Sequence, residues 1–322
     1  MKQIGLGLMG LGNIGIGTWK TLEMNSETIK KNTGIDFNFV KILEKNVDVK
    51  RDIDVDKKMF TDDPQDLFAN DDIDIVIELL GGIEPAASFM LEALNHGKHV
   101  VTANKAAVAA NYDKLLESAE KNNVMFRYEA SVGGGIPILN PLLTVLRGNE
   151  IESIMGILNG TTNYILTQMT DFGLDFDAVL KTAQEKGFAE ADPTADVEGI
   201  DVANKLSILM AIAFDKYVKP QEIKTTGITG ITKQDIENAK SKGAKIKLVA
   251  GAKKLANGEL EYEVGPMEIA DDHPLASVSN EFNAVFLKGN AVDELMFYGK
   301  GAGPLPTGSA VVGDLIDIAQ RI

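Results

Sequence analysis

The chain has 322 residues, enough for two domains of ordinary size, and its 44% apolar and 25% charged content is that of a soluble globular protein. A formal charge of -15 excludes a nucleic-acid partner, which needs a concentrated basic surface. With no cysteine, disulfides and thiolate nucleophiles are excluded too. The 3 histidines include His96 and His99 in HGKH, which reads as a turn before a strand without ligand partners, so no transition-metal site is expected. The N-terminal MKQIGLGLMGLGNIG is rich in glycine and lacks the small-residue cleavage pattern of a signal peptide. No apolar run approaches the roughly eighteen residues of a membrane span, and a cytoplasmic protein without membrane partners is expected.

In chain order, IGLGLM (4–9) predicts a buried strand, followed by a helix that starts near Asn13 and runs past Trp19. FNFVKIL (37–43) is a second strand, and after the acidic stretch 62–72, DIVIELL (74–80) is a third. PAASFMLEALNHG then carries Phe89, Leu91 and Leu94 at helical spacing and stops at Gly97. HVVTA (99–103) is the fourth strand, YDKLLESAEKNN (112–123) a helix, and VMFRYEAS (124–131) the fifth strand. Strands separated by helices in this rhythm predict a Rossmann-type parallel sheet covered on both faces.

Beyond Gly133 the rhythm changes. IESIMGILNGTTNYILTQM passes from strand to helix, and 200–213 reads as a helix. Residues 245–252 and 260–269 read as antiparallel strands around a turn at Asn257 and Gly258, with further strands in NAVFLKG and ELMFYGKG. This predicts a second α/β domain with a largely antiparallel or mixed sheet. The close, GAGPLPTGSAVVGDLIDIAQRI, is a Gly/Pro-rich loop and a helix. The expected division is a nucleotide-binding domain at 1–132, completed by 300–322, and a substrate-binding, catalytic and dimerisation domain at 133–299.

The loop after the first strand, GLGNIG, has Gly10, Gly12 and Gly15 in G-x-G-x-x-G order, with Leu11, Asn13 and Ile14 between them. Gly10 permits the tight turn, Gly12 lets a pyrophosphate approach the backbone, and Gly15 lets helix and strand pack closely. N–H groups at the helix start then hold the anion. This loop is therefore a dinucleotide site. Near the end of the second strand, Lys41 suits the 2′-phosphate of NADP, while the nearby Glu44 suits a ribose diol. NADP is favoured over NAD, and Lys41 as a solvated strand-edge residue stays open. Leu80 and Gly81 in LLGG, and Thr102 and Lys105 in TANKAA, follow strands three and four on the side where ligands bind.

Between residues 187 and 209 the chain reads GFAEADPTADVEGIDVANKLSIL. A helix beginning after Gly199 puts Asp201 and Lys205 on one face, beside a packing stripe of Val202, Leu206, Leu209 and Met210. A surface ion pair is the plain reading. The carboxylates of Glu190, Asp192, Asp196, Glu198 and Asp201 support another: they anchor a cationic substrate amine while Lys205 presents its ammonium to a reacting carbonyl or hydroxyl.

GFAEADPTADVEGID followed by Lys205 resembles the signature of the homoserine dehydrogenase family, as do GLGNIG, LLGG, TANK, YEASVGGGIPI, NGTTNYIL and GKGAGPLPTGSAVVGDL, in that order from about residue 4 to 320. The resemblance implies interconversion of L-homoserine and L-aspartate 4-semialdehyde with NADP or NAD, in the biosynthesis of threonine, methionine and isoleucine. It implies that Lys205 is the catalytic lysine, Asp201 a substrate and catalytic carboxylate, Glu190 the anchor of the amine and Asp196 another acid of that pocket. Lys105 matches the lysine at the junction of cofactor and substrate. Gly187 and Gly303 match backbone contacts near the cofactor. Glu129, Val132, Gly134 and Ile136 match a monovalent-cation site, usually sodium, formed largely by carbonyls. A homodimer or tetramer is implied. Ending at Ile322, the chain leaves no room for the regulatory ACT domain of many members, and there is no aspartokinase before it, so threonine feedback through that module is not expected. Two rivals remain. Another amino-acid dehydrogenase would share the fingerprint without needing the arrangement from Glu190 to Lys205, and a cofactor-sensing protein would have no use for the acid-lined segment.

Overall fold

The protein, described over residues 1–322 in a computed structural model, divides into two compact units: Met1–Gly135 with Ala302–Ile322, and Ile136–Gly301. The strands of the first unit are β1 (Lys2–Met9), β2 (Ile35–Leu43), β3 (Phe60–Thr61), β4 (Ile75–Glu78), β5 (His99–Thr102) and β6 (Phe126–Arg127). Its helices are α1 (Asn13–Thr33), α2 (Gln65–Phe68), α3 (Ala86–Asn95), α4 (Lys105–Ala110), α5 (Tyr112–Lys121) and the last helix of the chain, Pro304–Ala319.

All pairings in this sheet are parallel, in the order β3-β2-β1-β4-β5-β6. The chain winds outward from β1 in one direction to β3 and in the other to β6, so the order reverses between β1 and β4. Crevices for ligands open beyond the carboxyl ends of the strands at such a point. Ile4, Leu6, Leu8, Ile75, Ile77 and Val101 form the core with Val311, Leu315 and Ile318 of the last helix. That helix lies so close to α1 that a Cβ on Gly17 would come within 2.1 Å of the Pro304 carbonyl oxygen.

The fold is the expected Rossmann-type sheet, with two local differences. β3 is an additional strand, too short at 2 residues to show any periodicity. The fifth expected strand, 124–131, keeps only Phe126–Arg127 before turning through Glu129–Ser131. The physical reason is visible at Glu129, whose backbone N–H donates to Asp314 Oδ2 at 2.8 Å instead of joining the ladder.

The second unit contains α6 (Leu139–Leu143), β7 (Ile151–Ile157), α7 (Gly160–Phe172), α8 (Phe176–Glu185), α9 (Thr194–Val197), α10 (Ile200–Ala213) and α11 (Lys233–Ser241). Four more strands follow: β8 (Ala244–Lys254), β9 (Leu260–Ala270), β10 (Phe282–Gly289) and β11 (Asp293–Lys300). The sheet order is β11-β10-β7-β8-β9, antiparallel throughout. The β8–β9 hairpin turns with Gly258 at φ 84, as the Asn-Gly signal predicts. α7 and α10 are largely buried, and Val202, Leu206, Leu209 and Met210 form the buried stripe of α10.

Candidate active site

In the first unit the glycines divide their duties as their spacing suggests. Gly10 sits at φ 93, and a Cβ there would lie 2.8 Å from the Leu79 carbonyl oxygen. A Cβ on Gly15 would lie 2.4 Å from the Gly10 oxygen, so this glycine is required for packing. Gly12 is different: nothing lies within 4 Å of where its Cβ would be. It caps α1, whose Asn13, Ile14 and Gly15 N–H groups begin the helix and have no intrahelical acceptor. Open space above a helix start with unspent donors fits a pyrophosphate.

The end of β2 carries Lys41 and, just beyond it, Glu44, the two residues expected near the ribose. Lys41 is half-buried, and its Nζ donates to the Lys58 carbonyl at 3.2 Å in an exposed bond. Two other residues meet the fingerprint directly. Glu44 Oε2 accepts the Leu11 N–H at 3.0 Å, and Arg51 Nε donates to the Leu11 carbonyl at 2.9 Å. Arg51 also pairs with Glu44 at 3.2 Å and lies over the Phe60 ring. Burial pushes the Glu44 carboxyl up, but the N–H groups of Asn46 and Leu11 and the Arg51 charge outweigh it and hold the group below the ordinary glutamate range. Sequence reasoning missed Arg51 because it lies in the irregular segment after β2, where no period marks a contact to a loop 40 positions away.

At the ends of β4 and β5, Glu78 ties the two expected contact loops together. Its carboxylate accepts the Leu80 N–H at 2.8 Å and the Thr102 hydroxyl at 2.6 Å, while the Thr102 hydroxyl accepts the Asn104 N–H at 2.9 Å. Burial raises the Glu78 carboxyl despite these donors. The Thr102 side chain is thus directed into the protein, whereas Leu80 is 37% exposed and Gly81 takes φ 80. Lys105 is the first residue of α4, capped by Asn104, and is half-buried. Gly303, at φ 117, begins the last helix.

Glu129 and Val132 are buried, and the chain curls through Gly133 at φ 73 and Gly134 at φ 56. Ile136, the first residue of the second unit, is buried as well. No group of three or more His, Cys, Asp or Glu side chains anywhere is arranged to hold a metal ion. The oxygens of this segment are backbone carbonyls and the Glu129 carboxylate, a donor type that hard cations take.

In the second unit the five acids of the 187–209 segment part company. Asp192 accepts from the Thr194 N–H and hydroxyl, a local turn, and Glu198 accepts from Thr229. Glu190 is exposed, with its backbone carbonyl taken by Gln184; Gly187, at φ 75, is exposed too. Only Asp196 and Asp201 converge, and they do so on one amide: Asn159 Nδ2 donates to Asp196 Oδ1 at 2.7 Å and to Asp201 Oδ2 at 3.0 Å. Lys205 Nζ donates to the same Asp201 oxygen at 2.6 Å and to the Leu158 carbonyl at 2.6 Å. The two side chains are 10% and 7% exposed. This is a buried pair, so the surface ion pair is ruled out. Asn159 was invisible in the sequence, because an amide just before a helix reads as an N-cap and nothing local reports its reach to residues 37 and 42 positions on.

A parallel sheet with a dinucleotide loop at its switch point, on a chain that also carries a buried lysine–carboxylate pair, defines a nicotinamide-dependent oxidoreductase. Comparison with known proteins agrees. The model of the homoserine dehydrogenase NAD-binding domain matches residues 10–129, and that of the homoserine dehydrogenase domain matches residues 137–316. The chain belongs to the homoserine dehydrogenase family. It is 42% identical to the homoserine dehydrogenase of Bacillus subtilis, over 100% of this chain and 74% of that protein. A crystal structure of a homoserine dehydrogenase from Thiobacillus denitrificans superposes with a TM-score of 0.94 at 43% identity, covering 99% of this chain and 74% of that one. A hyperthermophilic archaeal homoserine dehydrogenase in complex with NADPH gives 0.81 at 26% identity, covering 99% and 98%. No helix is long and apolar enough to cross a membrane.

Proposed function

We propose that the chain oxidises L-homoserine to L-aspartate 4-semialdehyde and reduces it back, with the first unit holding the nicotinamide cofactor and the second the substrate. The observation that carries the reading is the buried Asp201–Lys205 pair. A lysine 8% exposed and fixed by two acceptors at 2.6 Å has the position of a group that moves a proton, not of a solvated surface cation. The cofactor, when bound, supplies the hydride chemistry at the carbinol carbon. This chain's residues handle the rest. In the reducing direction the Lys205 ammonium gives a proton to the developing alkoxide and is left as the neutral amine; in the oxidising direction that neutral amine takes the proton of the substrate hydroxyl. Asp201 holds the lysine in place. Asp196 and Glu190 attract the α-ammonium, and Lys105 steadies the substrate beside the cofactor.

Gly10, Leu11, Gly12, Asn13, Ile14 and Gly15 cradle the pyrophosphate, with Leu80, Gly81, Thr102, Gly187 and Gly303 contributing backbone to the cofactor's surroundings. NADP is the favoured cofactor, since the Glu44 carboxylate that would hold a ribose diol is already spent on Leu11, Asn46 and Arg51. Arg51, whose planar guanidinium suits a phosphate, joins Lys41 as a second candidate for the 2′-phosphate and is the one we favour, being held beside the fingerprint loop by the Leu11, Val49 and Asn46 carbonyls and by Glu44. A sodium ion held by Glu129, Val132, Gly134 and Ile136, a homodimeric or tetrameric state, and a cytoplasmic place in amino-acid biosynthesis complete the reading. The test is an assay of cofactor reduction with L-homoserine, run in parallel with NAD and NADP. Reduction that depends on homoserine, faster with NADP, is expected; no reduction with either cofactor would overturn the assignment.

A further inference from the structure

We infer that Asn159 is a positioning residue for the Asp201–Lys205 pair, acting as a two-hydrogen spacer between Asp196 and Asp201; the inference rests on the catalytic reading of Lys205 above. Both ends of its amide are engaged. Oδ1 accepts the Thr162 N–H at 2.9 Å, which caps α7, and the single hydrogen of the Thr162 hydroxyl lies between Oδ1 at 3.0 Å and the Asn159 carbonyl at 3.2 Å. Nδ2 spends one hydrogen on each acid, at 2.7 and 3.0 Å. Capping alone does not select asparagine, because serine, threonine and aspartate cap helices about as well. Only an amide supplies the cap acceptor together with two donors, and the two donors face carboxylates from two different helices, α9 and α10.

The consequence falls on Lys205. Asp201 Oδ2 accepts from both Asn159 and Lys205, and the ammonium also donates to the carbonyl of Leu158, the residue before Asn159. The turn from β7 into α7 therefore grips the ammonium and its carboxylate at once. Asp196 is held on the second hydrogen of the same amide. Asn159 is 6% exposed, so solvent does not readily replace it.

Asn159→Ser keeps a helix cap but has a single hydroxyl hydrogen and a shorter reach. With the full chain, its turnover number with L-homoserine should fall roughly ten- to a hundredfold, as expected when a hydrogen bond to a charged group is lost. The Michaelis constant should change by less than about threefold, and the melting temperature should stay near that of the wild type. In an Asp201→Asn background the same substitution should cost less than about twofold more, because the residue it acts through is already disabled. Asn159→Asp, which also caps, should lose turnover similarly and carries the test if the serine variant does not fold. Wild-type turnover in either variant, an undiminished effect in the Asp201→Asn background, or failure of both variants to fold would overturn the inference. An active Lys205→Ala enzyme would instead remove the catalytic reading itself, whereas an inactive one beside a fully active Asn159→Ser enzyme would remove only the spacer.

Discussion

Gly12 in the first unit has nothing within 4 Å of its missing Cβ, whereas Lys205 in the second is 8% exposed and gripped by two acceptors at 2.6 Å. One site is made of backbone and open space, the other of side chains packed into the protein. The difference follows from what each must do. A pyrophosphate is large, anionic and shared by many enzymes, and backbone N–H groups at a helix start serve it without side chains. A proton carrier must stand at one point in one orientation, which takes packing and a defined set of hydrogen-bond partners. The first kind of site should therefore lose binding when it is filled, the second turnover when a partner is removed.

The largest effect outside Lys205 itself is expected at Asp201. Asp201→Asn leaves a side chain of similar shape but removes the charge that holds the ammonium, so turnover should drop by about a hundredfold. Steady-state kinetics beside a melting curve check this; an active, stable variant would make the pair a packing device.

Arg51→Ala should weaken NADP binding by roughly tenfold or more, the loss of a charge-assisted contact, while NAD binding changes far less. Lys41→Ala should alter neither by much. Calorimetric titrations of both variants with both cofactors decide between the two cations, and a selective loss in Lys41→Ala would assign the role to Lys41 instead.

Gly12→Ala and Gly15→Ala separate space for a ligand from space for packing. The first places a methyl in the open and should raise the cofactor dissociation constant several-fold with little change in melting temperature. The second drives a Cβ to 2.4 Å from a backbone oxygen and should destabilise the fold. Equal melting temperatures with equal cofactor affinities would erase the distinction.

The smallest effect concerns Lys247 on β8, 2% exposed, which donates to Asn163 Oδ1 at 3.1 Å and Val278 O at 2.6 Å. Burial, aided by Lys245 and opposed by Asp171, brings it down to about 8 from an ordinary 10.5. Between those values the unfolded chain binds more protons than the folded one, so this group's contribution makes stability rise with pH across that window. Denaturant unfolding at several pH values should show a shallower rise in Lys247→Met; identical slopes would mean that the lysine keeps its proton when buried.

The sequence disclosed these sites unequally. Glycine spacing is local, so Gly10, Gly12 and Gly15 could be read with their separate duties, and the helical spacing of Asp201 and Lys205 was equally plain. Burial of that pair was not, since a lysine four positions after an aspartate looks the same on a wet face as on a dry one. Arg51 and Asn159 stayed hidden for a related reason: their partners are brought near by the fold. The segment 124–131 has the composition of a strand, but its ladder ends where Asp314, far along the chain, takes the Glu129 N–H.

The central claim is that Lys205 carries the proton in homoserine oxidation, and Lys205→Ala tests it most directly. Turnover with L-homoserine should be measured beside cofactor affinity on the same preparation. The account predicts a loss of a hundredfold or more in turnover, with the cofactor bound as in the wild type. Near-wild-type turnover would contradict it and leave the buried pair without a part in the chemistry.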